Sequence, residues 1–226
     1  MALYDAEISY HDVHFAALIE GLQQRGLAQD TAVVIVADHG EEFWDHGSVG
    51  HGHSVYDELL HVPMILRLPG LTEHKQHSAQ AVGLVDVMPT LLEALGQPLP
   101  ETLSGRSFLS ELRGQGSSAP RAAVSGFMGG WRTIGVGRWK LLQRTLDHLW
   151  LYDVQTDPGE TRDLAAEKPI TLRYLRGMLG LSLGGQDDGS KKVAVAKTHK
   201  SERTTIDKKT EAELRALGYV GTSRPK

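Results

Sequence analysis

The sequence predicts an α/β protein, in which parallel sheet strands with flanking helices are joined to a small antiparallel sheet. Three observations predict this class: apolar residues at helical spacing over 3–25, a short β-branched run at 32–37, and four short apolar segments after residue 120. A continuous apolar run is typical of a strand that is buried on both faces of a parallel sheet. Short strands separated by turns are typical of an antiparallel sheet.

The first element is a helix over residues 3–25. Its apolar residues recur at roughly helical spacing, and we expect them to pack against the sheet. Gly26 follows and is a suitable stop, because glycine adopts the left-handed conformation that closes helices. The apolar positions are Leu3, Ile8, Val13, Phe15, Leu18, Ile19 and Leu22.

The strand at 32–37 is predicted to be fully buried, and it ends in Asp38 and His39. Open α/β sheets build their ligand sites from residues at the carboxyl ends of strands. A glycine-rich loop, 38–55, comes next. A helical turn at 56–60 leads into a second strand at 62–69, which has a proline near each end, as strand termini tolerate.

The remaining elements follow from proline, glycine and apolar spacing. Pro89 falls in the first turn of its helix, where the missing N–H costs little. The linker is defined by its glycine, serine and proline content. The predicted elements are a polar loop at 71–80, helices at 84–95 and 101–112, a linker at 114–120, strands at 122–127, 131–136, 140–143 and 150–154, a helix at 167–181, a loosely attached segment at 182–205 and a helix at 208–217.

Composition excludes several classes of function. The 226 residues carry a net charge of −4, so no general attraction to nucleic acid or to anionic membranes is expected. The chain contains no cysteine, which excludes disulfides and thiolate zinc sites. No apolar run is long enough to span a bilayer, and the first residues lack the apolar core of a signal peptide. The sequence therefore predicts no membrane span and indicates no compartment.

Titratable residues concentrate at 38–57 more than anywhere else in the chain. Carboxylate oxygen and imidazole nitrogen are ordinary metal ligands, and imidazole can also bind anions or transfer protons near neutral pH. The alternative is a polar surface loop with ordinary exposed histidines. We favour a metal or anion site, because the cluster directly follows a strand that is predicted to be buried.

The stretch 38–63 resembles the sulfatase family of the alkaline phosphatase superfamily. It reads Asp-His-Gly-Glu after an apolar strand and then Gly-His-Gly-x-Ser-x-Tyr-Asp-Glu before Val-Pro. The resemblance implies the C-terminal part of an alkaline-phosphatase-like (sulfatase) α/β fold. Weaker similarities to the family lie at 4–8, 86–92, 139–141, 151–153, 157–160 and 214–220.

The resemblance assigns roles to five residues of the loop. It implies that Asp38 and His39 are metal ligands, with calcium as first choice and manganese or zinc as alternatives. It implies that His51 contacts the sulfate and protonates the leaving group as a general acid. His53 is the nearby rival for the catalytic role. His46 is a further substrate-binding candidate, although a supporting position behind the ligands is open as well.

Two ligands are too few for any of these cations, and the family's nucleophile motif is not in this sequence. Family members convert the Cys or Ser of a C/S-x-P-x-R motif in the N-terminal half to formylglycine. We therefore expect a chain that is inactive alone, with the missing N-terminal half or self-association as its protein partner. The expected organisation is a loop-bearing part of the catalytic domain at 1–113, a β subdomain with a packing helix at 121–181, and a flexible segment with a short helix at 182–226.

The function implied by the resemblance is metal-dependent hydrolysis of a sulfate ester, on a small molecule or a glycan. A phosphonate monoester or phosphodiester hydrolase of the same superfamily is the first alternative. A non-catalytic sulfatase fragment is the second.

Overall fold

The structure is a computed structural model that describes residues 1–71, 80–116, 119–127, 130–184 and 207–210. The elements are α1 (Ala2–Gln24), β1 (Val33–Val36), β2 (Glu42–Phe43), β3 (Val49–Gly50), α2 (Asp57–Leu60), β4 (Met64–Arg67), one 3-10 turn (Leu84–Asp86), α3 (Val87–Ala94), α4 (Leu109–Leu112), β5 (Ala122–Phe127), β6 (Trp131–Val136), β7 (Trp139–Gln143), β8 (Leu149–Asp153) and α5 (Pro169–Gly184).

The predicted small antiparallel sheet is confirmed. Its four strands lie in the order β5-β6-β7-β8, and each pairs antiparallel with the next. Alternate side chains of a strand point to opposite faces. One face packs on α5 through a fully buried cluster of Ile134, Leu141, Leu151, Leu175 and Leu179.

The opposite face of this sheet is covered by the loop that follows β1. Leu142 of β7 and Tyr152 of β8 form a buried cluster with Val55 of that loop. The sheet is therefore a middle layer, with α5 on one side and the loop of the candidate site on the other. This arrangement fixes the loop against a rigid support.

The strand β1 differs from its prediction in two ways. It pairs antiparallel with β4, whereas parallel pairing was expected. It is also not fully buried, since Ile35 and Val36 each keep 38% of their surface exposed. The physical reason is that the chain reverses direction through α2 before β4, and among the described residues β4 is the neighbour of β1 in a two-stranded sheet.

The helix α1 forms as predicted but does not pack on the sheet. None of its residues is buried, and its apolar side chains are largely exposed. Its contact with the site region is an edge-to-face pair of Tyr4 and Phe43, with ring centroids 5.1 Å apart. Gly26 has φ +70°, which confirms it as the residue that closes the helix. The described helices include none that is long and apolar enough to cross a membrane.

Two shorter segments also differ from prediction. The glycine-rich loop contains a hairpin of β2 and β3 that the sequence does not predict. Of the helix predicted over 101–112, the structure forms only α4.

The segments 71–80, 182–205 and 208–217 lie largely outside the described residues. The three-part division of the chain stays a prediction.

Arg121 joins the helical part of the chain to the start of β5. The residue is 7% exposed, and its guanidinium donates to Asp86 Oδ2 at 3.1 Å, to Glu111 Oε1 at 2.9 Å and to the carbonyl oxygen of Arg106 at 2.7 Å. A buried cation requires such partners, because desolvation is otherwise costly. Arg121 thereby connects α3, α4 and the sheet.

Lys140 joins the sheet to α2. Its Nζ lies 2.5 Å from Asp57 Oδ1 and 2.8 Å from Glu160 Oε1, and Glu160 Oε2 accepts a 2.6 Å hydrogen bond from the Asp57 backbone N–H. Burial raises the pKa of Glu160 above its ordinary value, and the nearby Lys140 charge opposes that rise. We call Lys140, Asp57 and Glu160 the lysine cluster.

Removing the cation from the lysine cluster should destabilise the chain. Lys140→Met leaves two carboxylates near each other, one of them fully buried, and should lower the free energy of unfolding by roughly 3–5 kcal/mol. Urea denaturation measures this change. Arg162→Met is the control, because the Arg162–Glu167 pair is largely exposed and should matter little. Equal losses in the two variants would contradict a special role for the cluster.

Candidate functional site

The candidate site begins where β1 ends. Asp38 lies just beyond the strand with its side chain 82% exposed, and its Oδ1 accepts a 3.0 Å hydrogen bond from the His39 backbone N–H. An exposed carboxylate at a strand end is available to a ligand. The loop therefore presents Asp38 outward while its neighbours anchor the backbone.

His39 is held in a defined tautomer. Its Nδ1 lies 2.9 Å from the carbonyl oxygen of Gly40, which can only accept a hydrogen bond, so Nδ1 carries the proton. The lone pair is then on Nε2, which lies 3.8 Å from Asp38 Oδ1. Protein ligands bind metal ions at about 2.0–2.6 Å, so one cation could contact both atoms. The two predicted ligands fit a shared ion.

His51 lies against His39. The two ring centroids are 4.1 Å apart, with the rings tilted by 32°. Glu41 Oε2 lies 3.2 Å from His51 Nδ1, which places the proton on Nδ1 and fixes the ring. The structure thus brings together three of the predicted residues, Asp38, His39 and His51. We call these three residues the Asp–His site.

Gly40 allows the loop to lie directly on α2. Its N–H donates to the carbonyl oxygen of Leu59 at 2.9 Å, and a Cβ added to it would stand 1.9 Å from the carbonyl oxygen of Glu58. No other residue fits without displacing the backbone. The position of the Asp–His site therefore depends on that of α2.

Glu42 anchors His53 and the hairpin. Its side chain is 1% exposed, with Oε2 at 2.6 Å from His53 Nε2, and Oε1 accepts N–H groups from Ser48 at 2.6 Å and His46 at 3.1 Å. Burial by itself would raise the pKa of Glu42, but these hydrogen bonds stabilise the carboxylate, and the net pKa lies below its ordinary value.

His46 is anchored in the same manner. Its Nδ1 lies 2.8 Å from Glu58 Oε1, and its ring stacks on Tyr56 with centroids 3.6 Å apart and an angle of 2°. The hydrogen bonds of His46 and His53 thus go to glutamates rather than to Asp38 or His39. Both rings hold the loop in shape.

Sequence reasoning missed Glu42 and Glu58 as anchors. The four-residue spacing of Glu42 and His46 is a weak local signal, but Glu58 meets His46 only because α2 folds back onto the loop. Among the described residues no three carboxylates or imidazoles converge as a metal-binding group.

Fold and site together define a class. Open α/β sheets place their ligand sites at the carboxyl ends of strands, and Asp38, His39 and His51 lie together at that end of β1. Residues 1–97 match the family model described as Sulfatase. This match over 97 of the 226 residues confirms the resemblance to the sulfatase family of the alkaline phosphatase superfamily that the sequence predicts.

Individual relatives agree with this family. Arylsulfatase K of Bos taurus is 39% identical over 108 residues, which cover 48% of this chain and 20% of that protein. The solved structure of a 2-O GAG sulfatase is 27% identical with a TM-score of 0.68, over 76% of this chain and 40% of that one. A phosphonate monoester hydrolase from Silicibacter pomeroyi is 27% identical with a TM-score of 0.65, over 78% and 38%.

The chain spans about a third or less of the curated relatives and about two fifths of the solved structures that it matches. The matches confirm the alkaline-phosphatase-like fold class.

Glu42 should make stability depend on pH. Its folded pKa is depressed, so its contribution is fully present above its ordinary value of 4.5 and is lost as the pH falls through the folded pKa. Glu42→Gln should therefore be less stable than wild type at pH 6, and the difference should shrink below pH 4.5. Urea titrations at several pH values measure this convergence. A difference that is constant with pH would contradict the assignment.

Proposed function

We propose that this chain supplies the metal- and oxyanion-binding loop of a sulfate ester hydrolase. The observation that carries the proposal is the convergence of Asp38, His39 and His51 at the end of β1, with the two rings 4.1 Å apart. Similarity to the sulfatase family supports the reaction class. The proposed organisation is a loop-bearing part at 1–113, a β subdomain at 121–181 and a C-terminal segment at 182–226.

Asp38 Oδ1 and His39 Nε2 are the proposed ligands of a divalent cation. Similarity to the sulfatase family implies such an ion, and we propose calcium, with manganese or zinc as alternatives, because carboxylate suits calcium whereas imidazole also suits transition metals. A bound cation supplies positive charge to sulfate oxygens that become more negative during the reaction. The remaining ligands and the formylglycine nucleophile must come from outside the sequence given.

His51 is the proposed contact of the sulfate and the proposed general acid. With the proton of the neutral ring on Nδ1 beside Glu41, a second proton on Nε2 makes the ring a donor to the leaving oxygen. His53 is the second candidate for the acid, and His46 is a candidate substrate contact. The bonds of these two rings to Glu42 and Glu58 favour a supporting role for both.

We propose a sulfated glycan or another sulfate ester as substrate. The similarity to a structure described as a 2-O GAG sulfatase supports a glycan. The similarity to a phosphonate monoester hydrolase favours the second candidate function, which is hydrolysis of a phosphonate monoester or phosphodiester at the same site. A non-catalytic role is the third possibility.

The proposed ligands can be tested on this chain alone. Mn²⁺ binding should broaden the imidazole NMR signals of His39 and His51 through paramagnetic relaxation, and Asp38→Asn should greatly reduce that broadening. The matched control is Asp12→Asn, which removes an exposed carboxylate from α1 and should leave the broadening unchanged. If Asp38→Asn and Asp12→Asn behave alike, the ligand assignment is wrong.

Activity should appear only when a nucleophile is provided. The chain alone should not turn over an aryl sulfate, whereas a complex or fusion with a formylglycine-bearing sulfatase segment should release sulfate in a metal-dependent reaction. Asp38→Ala should abolish that release. Assays with a phosphodiester and a phosphonate monoester, run in parallel, separate the two hydrolase candidates. A fully active Asp38→Ala complex would refute the proposed role of the residue.

A further inference from the structure

A row of aromatic rings lies on the sheet beside the loop of the candidate site. Trp131 and Trp150 are stacked with centroids 5.8 Å apart and planes at 27°, and His148 continues the row 6.4 Å from Trp150 at 22°. At the other end, Tyr56 lies 6.5 Å from Trp131. We call Trp131, Trp150 and His148 the aromatic row.

The strand register places this row on the face that the loop covers. Trp150 is opposite Leu142, and Leu142 is opposite Thr133, so their side chains share one face of the sheet. Trp131 lies two residues before Thr133 on β6, and therefore points to the same face. The loop covers the centre of this face through Val55, and Trp131 and Trp150 pack against that cluster while each remains half-buried.

The aromatic row is continuous with the loop that carries His51. Phe127 pairs with Trp131 across β5 and β6. A Cβ added to Gly52 would stand 3.5 Å from the ring of Phe127. Gly52 is the residue after His51. The loop of the Asp–His site therefore lies against the end of the sheet that carries Trp131.

The row remains accessible and carries positive charge. Trp131 and Trp150 are half-buried, and His148 and Arg144 are exposed. The guanidinium of Arg144 lies 5.4 Å from the centre of the Trp131 ring, a cation–π arrangement. An exposed guanidinium above stacked indoles offers both an apolar face and an anion-binding group.

We propose that the aromatic row and Arg144 form a binding surface for the sugar rings of a sulfated glycan. The C–H bonds of a sugar ring carry small positive partial charges and pack against the negative face of an indole, and a sulfate group pairs with a guanidinium. This inference rests on the proposed function and deepens it, because it assigns the glycan part of the substrate to named residues outside the Asp–His site.

Single-stranded nucleic acid also stacks on aromatic and arginine groups. The chain has a net charge of −4, so it offers no general attraction to a polyanion, and Arg144 must act locally. A guanidinium beside apolar rings suits a ligand that carries anionic groups on an otherwise uncharged ring surface. These considerations favour the sulfated glycan.

The test uses the whole chain and a heparin-derived tetrasaccharide, with binding measured by calorimetry. Trp150→Leu should weaken binding by about fivefold to tenfold, since an aromatic contact contributes roughly 1 kcal/mol. Trp139→Leu is the matched control. Trp139 is a half-buried indole of the same sheet that packs on the α5 side, so its replacement should leave the affinity unchanged.

Arg144→Gln tests whether Arg144 binds the sulfate groups of the tetrasaccharide. It should weaken binding of the tetrasaccharide and leave binding of its chemically desulfated counterpart unchanged. On the wild-type chain, the indole N–H NMR signals of Trp131 and Trp150 should shift on titration, while that of Trp139 stays in place. This measurement does not depend on the folding of any variant.

Three outcomes would overturn the inference: no tetrasaccharide binding, equal loss in Trp150→Leu and Trp139→Leu, or equal binding of a single-stranded oligonucleotide. Failure of the proposed function is distinguishable, because it appears as Mn²⁺ broadening that is the same in Asp38→Asn and in wild type. Glycan binding with loss only in Trp150→Leu and Arg144→Gln supports the inference.

Discussion

The position of the candidate site depends on the ion pairs of the buried Lys140 ammonium. The ammonium lies between the carboxylates of Asp57 and Glu160 and so joins β7, the first residue of α2 and the segment after β8. A buried cation is tolerated only when it is surrounded in this way. Because the lysine cluster holds α2 against the sheet, it also sets the position of the loop that contacts α2.

The loop that carries the Asp–His site is attached to α2 through Gly40. The Gly40 N–H bonds to Leu59, and the absence of a Cβ lets the two backbones touch. His46 bonds to Glu58 on the same helix. The position of the candidate ligands is thus set in steps, from the lysine cluster to α2 and from α2 to the loop. Hydrogen bonds from residues behind the ligands orient the ligand side chains and so set the geometry of a site.

The apolar surface outside these contacts is large. Side chains of α1, β1 and β4 remain exposed, among them Leu3 at 86%, Val13 at 66% and Ile65 at 60%. Exposed apolar patches of this kind mark surfaces that interact with other protein. The aromatic row is distinct from these exposed apolar side chains, because the loop of the Asp–His site lies beside it and the guanidinium of Arg144 lies over Trp131.

The sequence by itself determined the α/β class, the antiparallel sheet, the end of α1 at Gly26 and the resemblance to the sulfatase family, because apolar periodicity, turn residues and short motifs are local signals. It also singled out Asp38 and His39 by their place after a strand. Only the tertiary structure decided the antiparallel pairing of β1 with β4, the binding of His46 and His53 by glutamates, and the meeting of Lys140 with Glu160. These features join residues that are far apart in the sequence. The charged groups are buried and require each other as partners only after the chain has folded.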